Sequence, residues 1–386
     1  MSARVWLLAL ATFVTGLAEN ITVGILPALA EGLQTPLGVA GQLTTAFSLT
    51  FAAAAPLAPQ LPSRWELRRL LCTALLFFTA CNLAAALANS YALLLAARIG
   101  MAAASALTCL IATLMATRLV SPQHRGRAIG VIFMGISGSL VLGVPTGMLV
   151  CEWLGWRGVF VGLAVLACAV LLLARTGLPR FHGSERLAAL AYLRHLRDGR
   201  LSGAQAVSIL MIGGHFTLFA YLAPYAQQVV QIPSIWLAPV FAAFGIAGVS
   251  GGYLGGWAAD VLGPRRAIVA VPLLYLASLL ALPWCMDSPL SFVPAMMVWG
   301  CASWMISPVV QSYLAASGPE TAEAGMSLNL SAMHLGVGLG AALGGLVIAG
   351  ASLDQLPWAG ALLAASALGC AAWSVRKPAR SAMAAG

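Results

Sequence analysis

The sequence predicts an all-α membrane protein: twelve transmembrane helices in two pseudo-symmetric six-helix bundles, with both termini cytoplasmic. Three observations carry this prediction. The 386 residues are 61% hydrophobic and only 8% charged, against about 25% charged in soluble domains. Twelve stretches are apolar and long enough to cross a bilayer core, which takes ~20 helical residues. Lys and Arg collect on one side of those stretches, as they do in cytoplasmic loops.

In chain order the predicted spans run 5–28, 38–60, 67–88, 91–117, 126–150, 157–177, 204–230, 236–260, 266–285, 290–314, 323–350 and 355–375. Such long runs fit helices, whereas a β-barrel would show short alternating segments. The first run carries a small-residue stretch, `GLAEN`, that resembles a leader cleavage site. It is too long for a secretory leader, and eleven more spans follow. Spans five (`GISGSLVLGVPTG`) and eleven (`GVGLGAALGG`) are rich in glycine, which lets helices approach closely and slide. Within span five, Gly143, Pro145 and Gly147 form a predicted helix-bend motif, because proline removes a backbone donor.

Eighteen of the twenty Lys and Arg fall at the N-terminus (Arg4), after even-numbered spans or in the tail. The exceptions are Arg98, inside span four, and Arg157, after span five. The net charge of +9 therefore reports topology and gives no reason to expect nucleic-acid binding. Trp6, Trp65, Trp153, Trp156, Trp236 and Trp358 lie near span ends, where interfacial anchoring is expected. The eight cysteines show no CxxC and no metal-ligand spacing and read as small buried hydrophobes.

The one long polar segment, `PRFHGSERLAALAYLRHLRDGR`, divides the chain. The expected organisation is a bundle over 1–178, a cytoplasmic linker over 179–203 with a surface amphipathic helix, a second bundle over 204–376, and a tail over 377–386. A shift of 201 residues pairs Ala55 with Gly256, Pro59 with Asp260, Pro62 with Gly263, Arg64 with Arg265 and Gly143 with Gly344. Duplicated bundles of this kind build a central site that opens to alternate sides of the membrane.

The stretch `GGWAADVLGPRR` resembles the loop signature of the major facilitator superfamily, carried by Gly256, Asp260, Gly263, Arg265 and Arg266. `LLLAARIGMAAASA` is similar to the family's fourth-span signature, with Arg98 as its arginine. `GVPTGMLVCEWLGWRGVF` resembles the fifth-span antiporter signature, and `GGHFTLFAYLAPY` and `SLNLSAMHLGVGLGAALGG` resemble spans seven and eleven of the sugar- and arabinose-efflux-like drug:proton antiporters. The first-half loop departs from the pattern, with Pro59 and Pro62 where aspartate and glycine stand in the family, and Val144 separates Gly143 from Pro145. The resemblance implies a cytoplasmic gating latch at Gly256, Asp260, Gly263, Arg265 and Arg266.

Glu19 and Asn20 interrupt the first span. A charge at the bilayer centre costs at least ~2.5 kcal/mol, so this one should be compensated or have a task. Thr12, Thr15, Glu19 and Thr22 share a helical face, and a polar stripe on a span is expected to face a cavity. Arg98 lies at a similar depth, ~12 Å from the outer end against ~15 Å for Glu19, and is its expected partner. Glu19, Arg98 and His215 are the candidates for proton coupling, with a static Glu19–Arg98 pair as the alternative. Asn20, Tyr221, Tyr225, Ser307, Gln311, Asn329 and His334 are the candidates for a substrate cavity; the alternative is interhelical hydrogen bonding for the first six and a packing role for His334. Two histidines on separate spans do not make a metal site.

The expectation is a secondary active transporter at the bacterial inner membrane, most naturally one that exports a drug, sugar or nucleoside in exchange for protons. It would use no cofactor beyond the proton gradient and act as a monomer in lipid, with small solute and protons as its only partners. An importer of the same fold is the alternative, and a non-transporting sensor a more distant one. There is no Ser-His-Asp set, HExxH, P-loop or paired carboxylate within a span, so an enzyme is not expected. With one deep acid, neutral or weakly charged solutes fit better than dications.

Overall fold

The computed structural model describes residues 2–54, 65–121, 124–181 and 189–377. The first-half loop carrying Pro59, Pro62 and Arg64 lies outside them. Among the described residues the chain is helical throughout. The helices are α1 (Ala3–Gly24), α2 (Leu26–Gly32), α3 (Leu37–Ala54), α4 (Leu67–Ala86), α5 (Tyr91–Arg118), α6 (Arg125–Gly177), α7 (Ala189–Arg197), α8 (Gly199–Phe219), α9 (Leu222–Gln228), α10 (Ser234–Leu262), α11 (Pro264–Ala281), α12 (Pro289–Trp304), α13 (Ile306–Ser317), α14 (Ala322–Gly350) and α15 (Leu356–Arg376).

Eleven helical stretches among the described residues are long and apolar enough to cross a membrane, where the sequence predicts twelve spans. The difference arises in the 48-residue stretch Gly130–Gly177. There predicted spans five and six join through Gly155, the point inside α6 where the backbone leaves helical dihedrals (φ 71°, ψ 170°). The helix runs on through Pro145, so the interruption sits ten residues past the motif the sequence nominates.

Three predicted spans are each divided in two, and proline explains each division. A proline at position i cannot donate to the carbonyl of residue i−4 and its ring crowds that group. Pro27 frees Val23, and the chain turns at Ile25 between α1 and α2. Pro224 frees Ala220, and α8 gives way to α9 across Ala220 and Tyr221. Pro308 frees Trp304, and the break falls at Met305 between α12 and α13.

By internal contacts the chain forms two compact units: Met1–Arg186 with Ala220–Gln227 and Ile232–Ala242, and Leu187–Phe219 with Gln228–Gln231 and Ala243–Gly386. Two pairings recur, first span on fifth and third on sixth. In the first unit, α1 packs on α6, α3 on α5 and α4 on α6; in the second, α8 packs on α14 and α11 on α15. The first-on-fifth span pairing depends on glycine in both. A Cβ on Gly135 would overlap the Ala9 carbonyl of α1, and one on Gly340 would overlap the Gly213 carbonyl of α8.

Each unit also braces the end of its last span with an arginine. Arg68 at the start of α4 donates to the carbonyls of Arg175 (3.4 Å) and Leu178 (3.1 Å) at the end of α6. Arg265 at the start of α11 donates to the Val375 carbonyl (2.8 Å) at the end of α15. A cation at a helix C-terminus satisfies orphan carbonyls and complements the helix dipole.

Large apolar side chains such as Leu76, Phe77, Leu172, Leu346 and Leu362 face outward, as lipid contact requires. Trp6, Trp65, Trp153, Trp236 and Trp358 are exposed at helix ends, in line with anchoring. Trp156 is not: it is buried, with the Arg157 guanidinium stacked 4.1 Å over its ring.

Candidate functional site

In the first unit, α1 brings Glu19 and α5 brings Arg98 to the same region. Arg98 is fully buried. Its Nη1 donates to the carbonyl of Ala18, the residue before Glu19, and its guanidinium carbon sits 4.4 Å over the Phe47 ring of α3. Nε and Nη2 have no hydrogen-bond partner among the described residues. Glu19 is the charge that acts on Arg98 through space, and it also acts on Cys109, three turns further along α5. Burying a guanidinium is costly unless it is paired and hydrogen-bonded. Here one donor is satisfied by backbone, the cation rests on an aromatic face worth about 0.5–2 kcal/mol, and the remaining donors are available to an anionic oxygen.

The threonines of the α1 stripe take a different part from the one expected of them. Thr12 donates to Ala9 (2.9 Å) within its helix and reaches the Ile132 carbonyl of α6 (3.3 Å). Thr15 bonds back to Ala11 and Thr12. Both are buried, so this part of the stripe seals a helix–helix seam. A threonine hydroxyl satisfied by its own helix needs no cavity. Asn20 belongs to the same seam, donating to Gly16 (3.1 Å) and to Ser139 of α6 (3.4 Å). Gly143 faces Leu17, and Gly147 leaves the room that Ile21 fills, so both flank the α1–α6 contact beside Pro145.

In the second unit, α8 places His215 in a box of rings. Phe219 stacks at 5.0 Å and 21°, Phe244 at 5.8 Å and 18°, Trp299 lies 4.8 Å away, and Phe216 and Trp304 approach edge-on at 5.2 and 5.9 Å. Both imidazole nitrogens lack a hydrogen-bond partner among the described residues. Tyr275 Oη lies beside Trp299 without a well-formed hydrogen bond, and Ser303 Oγ is also unsatisfied. A buried polar group without a partner costs about 1–3 kcal/mol, so an imidazole boxed in by rings with both nitrogens unsatisfied is costly. The sequence held no signal for these neighbours, because aromatic residues scattered over α10, α11 and α12 have no spacing that links them to His215.

Asn329 of α14 is fully buried and donates to Ser208 Oγ (2.8 Å) and Gln205 Oε1 (3.0 Å) of α8. His334 lies half-buried further along α14. Gln311 donates to Ser307 (3.3 Å) on α13. Tyr221 and Tyr225 are buried in the first unit, where the Tyr221 hydroxyl occupies the space a side chain at Gly41 of α3 would need. The structure thus distributes the predicted cavity residues over both units.

At the end of α10, Asp260 is exposed one turn past Gly256, and Gly263 alone links α10 to α11. Its dihedrals (φ 78°, ψ 149°) lie in a region that only glycine enters readily. Pro264 follows at the first helical position, Arg265 turns to the end of α15, and Arg266 is exposed. Among the described residues no group of three or more His, Cys, Asp or Glu could hold a metal ion.

The sequence model of the major facilitator superfamily matches residues 8–338. YbcL, an MFS-type transporter of Bacillus subtilis (strain 168), is 30% identical over 359 residues, covering 93% of this chain and 92% of its own. YdhP, an inner membrane transport protein of Escherichia coli (strain K12), is 29% identical over 373 residues, covering 96% and 95%. The fold is similar to that of a bacterial homolog of the human lysosomal transporter Spinster, with a TM-score of 0.83 over 97% of both chains at 16% identity. These matches run nearly the full length of the chain. It is a multi-pass membrane transporter rather than an enzyme, and it belongs to the major facilitator superfamily.

Proposed function

We propose that the protein is a proton-coupled exporter of a small organic solute of the drug, sugar or nucleoside kind, working by alternating access at the bacterial inner membrane. The observation that carries this reading is the Glu19–Arg98 pair: a carboxylate beside a fully buried guanidinium whose Nε and Nη2 have no hydrogen-bond partner among the described residues. In general a cation beside a carboxylate favours its ionised form, and exclusion of water favours the protonated form. A change in the spacing of α1 and α5 shifts that balance, so proton uptake and helix movement become one event. His215 is the corresponding proton-responsive group of the second unit. Tyr221, Tyr225, Ser307, Gln311, Asn329 and His334 supply weak polar and aromatic contacts to the solute, while Asn20 serves the α1–α6 seam. Asp260, Arg265 and Arg266 act at the cytoplasmic latch, with Gly256 and Gly263 shaping it, and Gly143, Pro145 and Gly147 let α6 shift along α1.

The test is transport by purified protein in proteoliposomes under an imposed pH gradient, screened over candidate solutes and compared with Glu19→Gln. Native protein is expected to move solute against its gradient with counterflow of protons. Glu19→Gln is expected to insert and bind but to exchange solute only downhill. Unchanged uphill export with unchanged proton flux in Glu19→Gln overturns the reading. Solute gradients formed in everted vesicles decide export against import.

A further inference from the structure

The linker between the two halves contains a fully buried histidine. His195 sits on α7, which turns Leu193, Arg194, Leu196 and Arg197 outward and His195 inward. Its Nδ1 lies 3.1 Å from Thr321 Oγ1, just before α14, and its Nε2 lies 3.1 Å from Gln205 Nε2 on α8. Gln205 Nε2 also donates to the Gly325 carbonyl (2.9 Å), while Gln205 Oε1 accepts from Asn329 Nδ2 (3.0 Å). A second tie, Tyr192 to Ser327 (3.3 Å), holds α7 on α14. Gly325 has no side chain where the imidazole lies.

The chain of bonds has one consistent polarity. The Gly325 carbonyl can only accept, so the Gln205 amide must turn its nitrogen toward Gly325 and therefore toward His195. His195 Nε2 must then be the acceptor, its proton must sit on Nδ1, and the ring must be neutral. A proton added at Nε2 would set donor against donor. A flip of the Gln205 amide relieves that clash at the cost of the bond to the Gly325 carbonyl, which loosens the α8–α14 contact; it also turns the Gln205 nitrogen onto Asn329 Nδ2 and obliges Asn329 to turn as well. Asn329 Oδ1 has no hydrogen-bond partner among the described residues and is the acceptor the flipped Gln205 would need.

We propose that His195 is a positioning residue: through Gln205 it sets the orientation of the Asn329 carboxamide, and its protonation by an acidified cytoplasm reverses that orientation and loosens α7 from α14. The functional consequence rests on Asn329 as a solute-contacting residue; the relay itself does not.

Of the charged groups on and near α7, Arg194 and Arg197 point outward. Asp198 acts on it directly, and Arg200 of α8 holds Asp198 at 3.1 Å while bonding the Ser317 carbonyl. Glu320 is exposed beside Thr321, and Lys377 approaches Gly199 from the end of α15. Burial lowers the His195 pKa below its ordinary 6.5, outweighing Asp198 and the Thr321 contact, which raise it. The docked state thus prefers the neutral ring. Docking is fully present above the ordinary histidine value and is lost as pH falls below it.

The test follows amide exchange of 189–205 and 322–330, corrected for intrinsic pH dependence, in the full chain in lipid nanodiscs. Between about pH 7.5 and pH 5.5, native protein is expected to lose protection about tenfold in both segments. His195→Gln should show no such step. Gln205→Leu should keep the α7 response and lose it in α14. Superimposable native and His195→Gln profiles overturn the proposal. In native protein, carbon-13-labelled histidine resonances provide a second measurement: a His195 midpoint below 6.5 with the Asn329 side-chain amide shifting at the same midpoint supports the relay, and an Asn329 signal indifferent to pH overturns it. Neither measurement needs a substrate. A failed relay therefore leaves the Glu19 reading standing, and a failed Glu19 test leaves the relay standing.

Discussion

Arg98 is held by a backbone carbonyl, an aromatic face and the field of Glu19, and only a planar guanidinium can use all three at once. Arg98→Lys is expected to keep the charge but lose the Phe47 stacking and the Ala18 bond together. Uphill transport should fall at least about tenfold, with a thermal stability loss on the order of 1–2 kcal/mol, read by transport assay and by unfolding in detergent. That Glu19 lies near enough to act on Arg98 was expected from the sequence, because both charges interrupt apolar runs at similar depth. Thr12 and Asn20 were not assignable, since their spacing gives a face of α1 and only the packing of α6 against that face decides whether it meets a cavity or a neighbour. His195 was hidden for a related reason: within `YLRHLR` it reads as one more basic residue on a surface helix.

At the scale of elements, prolines and glycines carry the specific information. The breaks before Pro27, Pro224 and Pro308 follow from a missing donor four residues on, a consequence the apolar runs conceal because hydropathy averages over it. The glycines separate into those that permit contact and those that do not. Gly340→Ala drives a methyl into the Gly213 carbonyl and is expected to cost about 1–3 kcal/mol. Gly252→Ala, with nothing within 4 Å of the new methyl, should instead be neutral or stabilising by up to about 1 kcal/mol. The contrast is checked by parallel denaturant unfolding of the two variants. Gly263→Ala, at φ 78°, is expected to lose about 1–3 kcal/mol through backbone strain alone, and to impair transport if the turn between α10 and α11 acts as a latch.

At the scale of the whole molecule, the distribution of Lys and Arg predicts that both termini lie in the cytoplasm. A fluorescent protein fused after residue 386 should therefore be bright, whereas an alkaline phosphatase fused there should be inactive; the reverse pattern would place the tail outside. The sequence by itself determined the membrane class, the approximate places of the spans, the duplication and the family, because these depend on composition, length and periodicity, which are properties of the chain read in one dimension. Tertiary structure decided which polar residues meet: that Thr12 serves a seam, that His215 stands among aromatic rings from other helices, and that a linker histidine reaches Asn329 through Gln205. Those outcomes depend on which face of one helix is presented to the next, and helical spacing fixes only the face, not its neighbour.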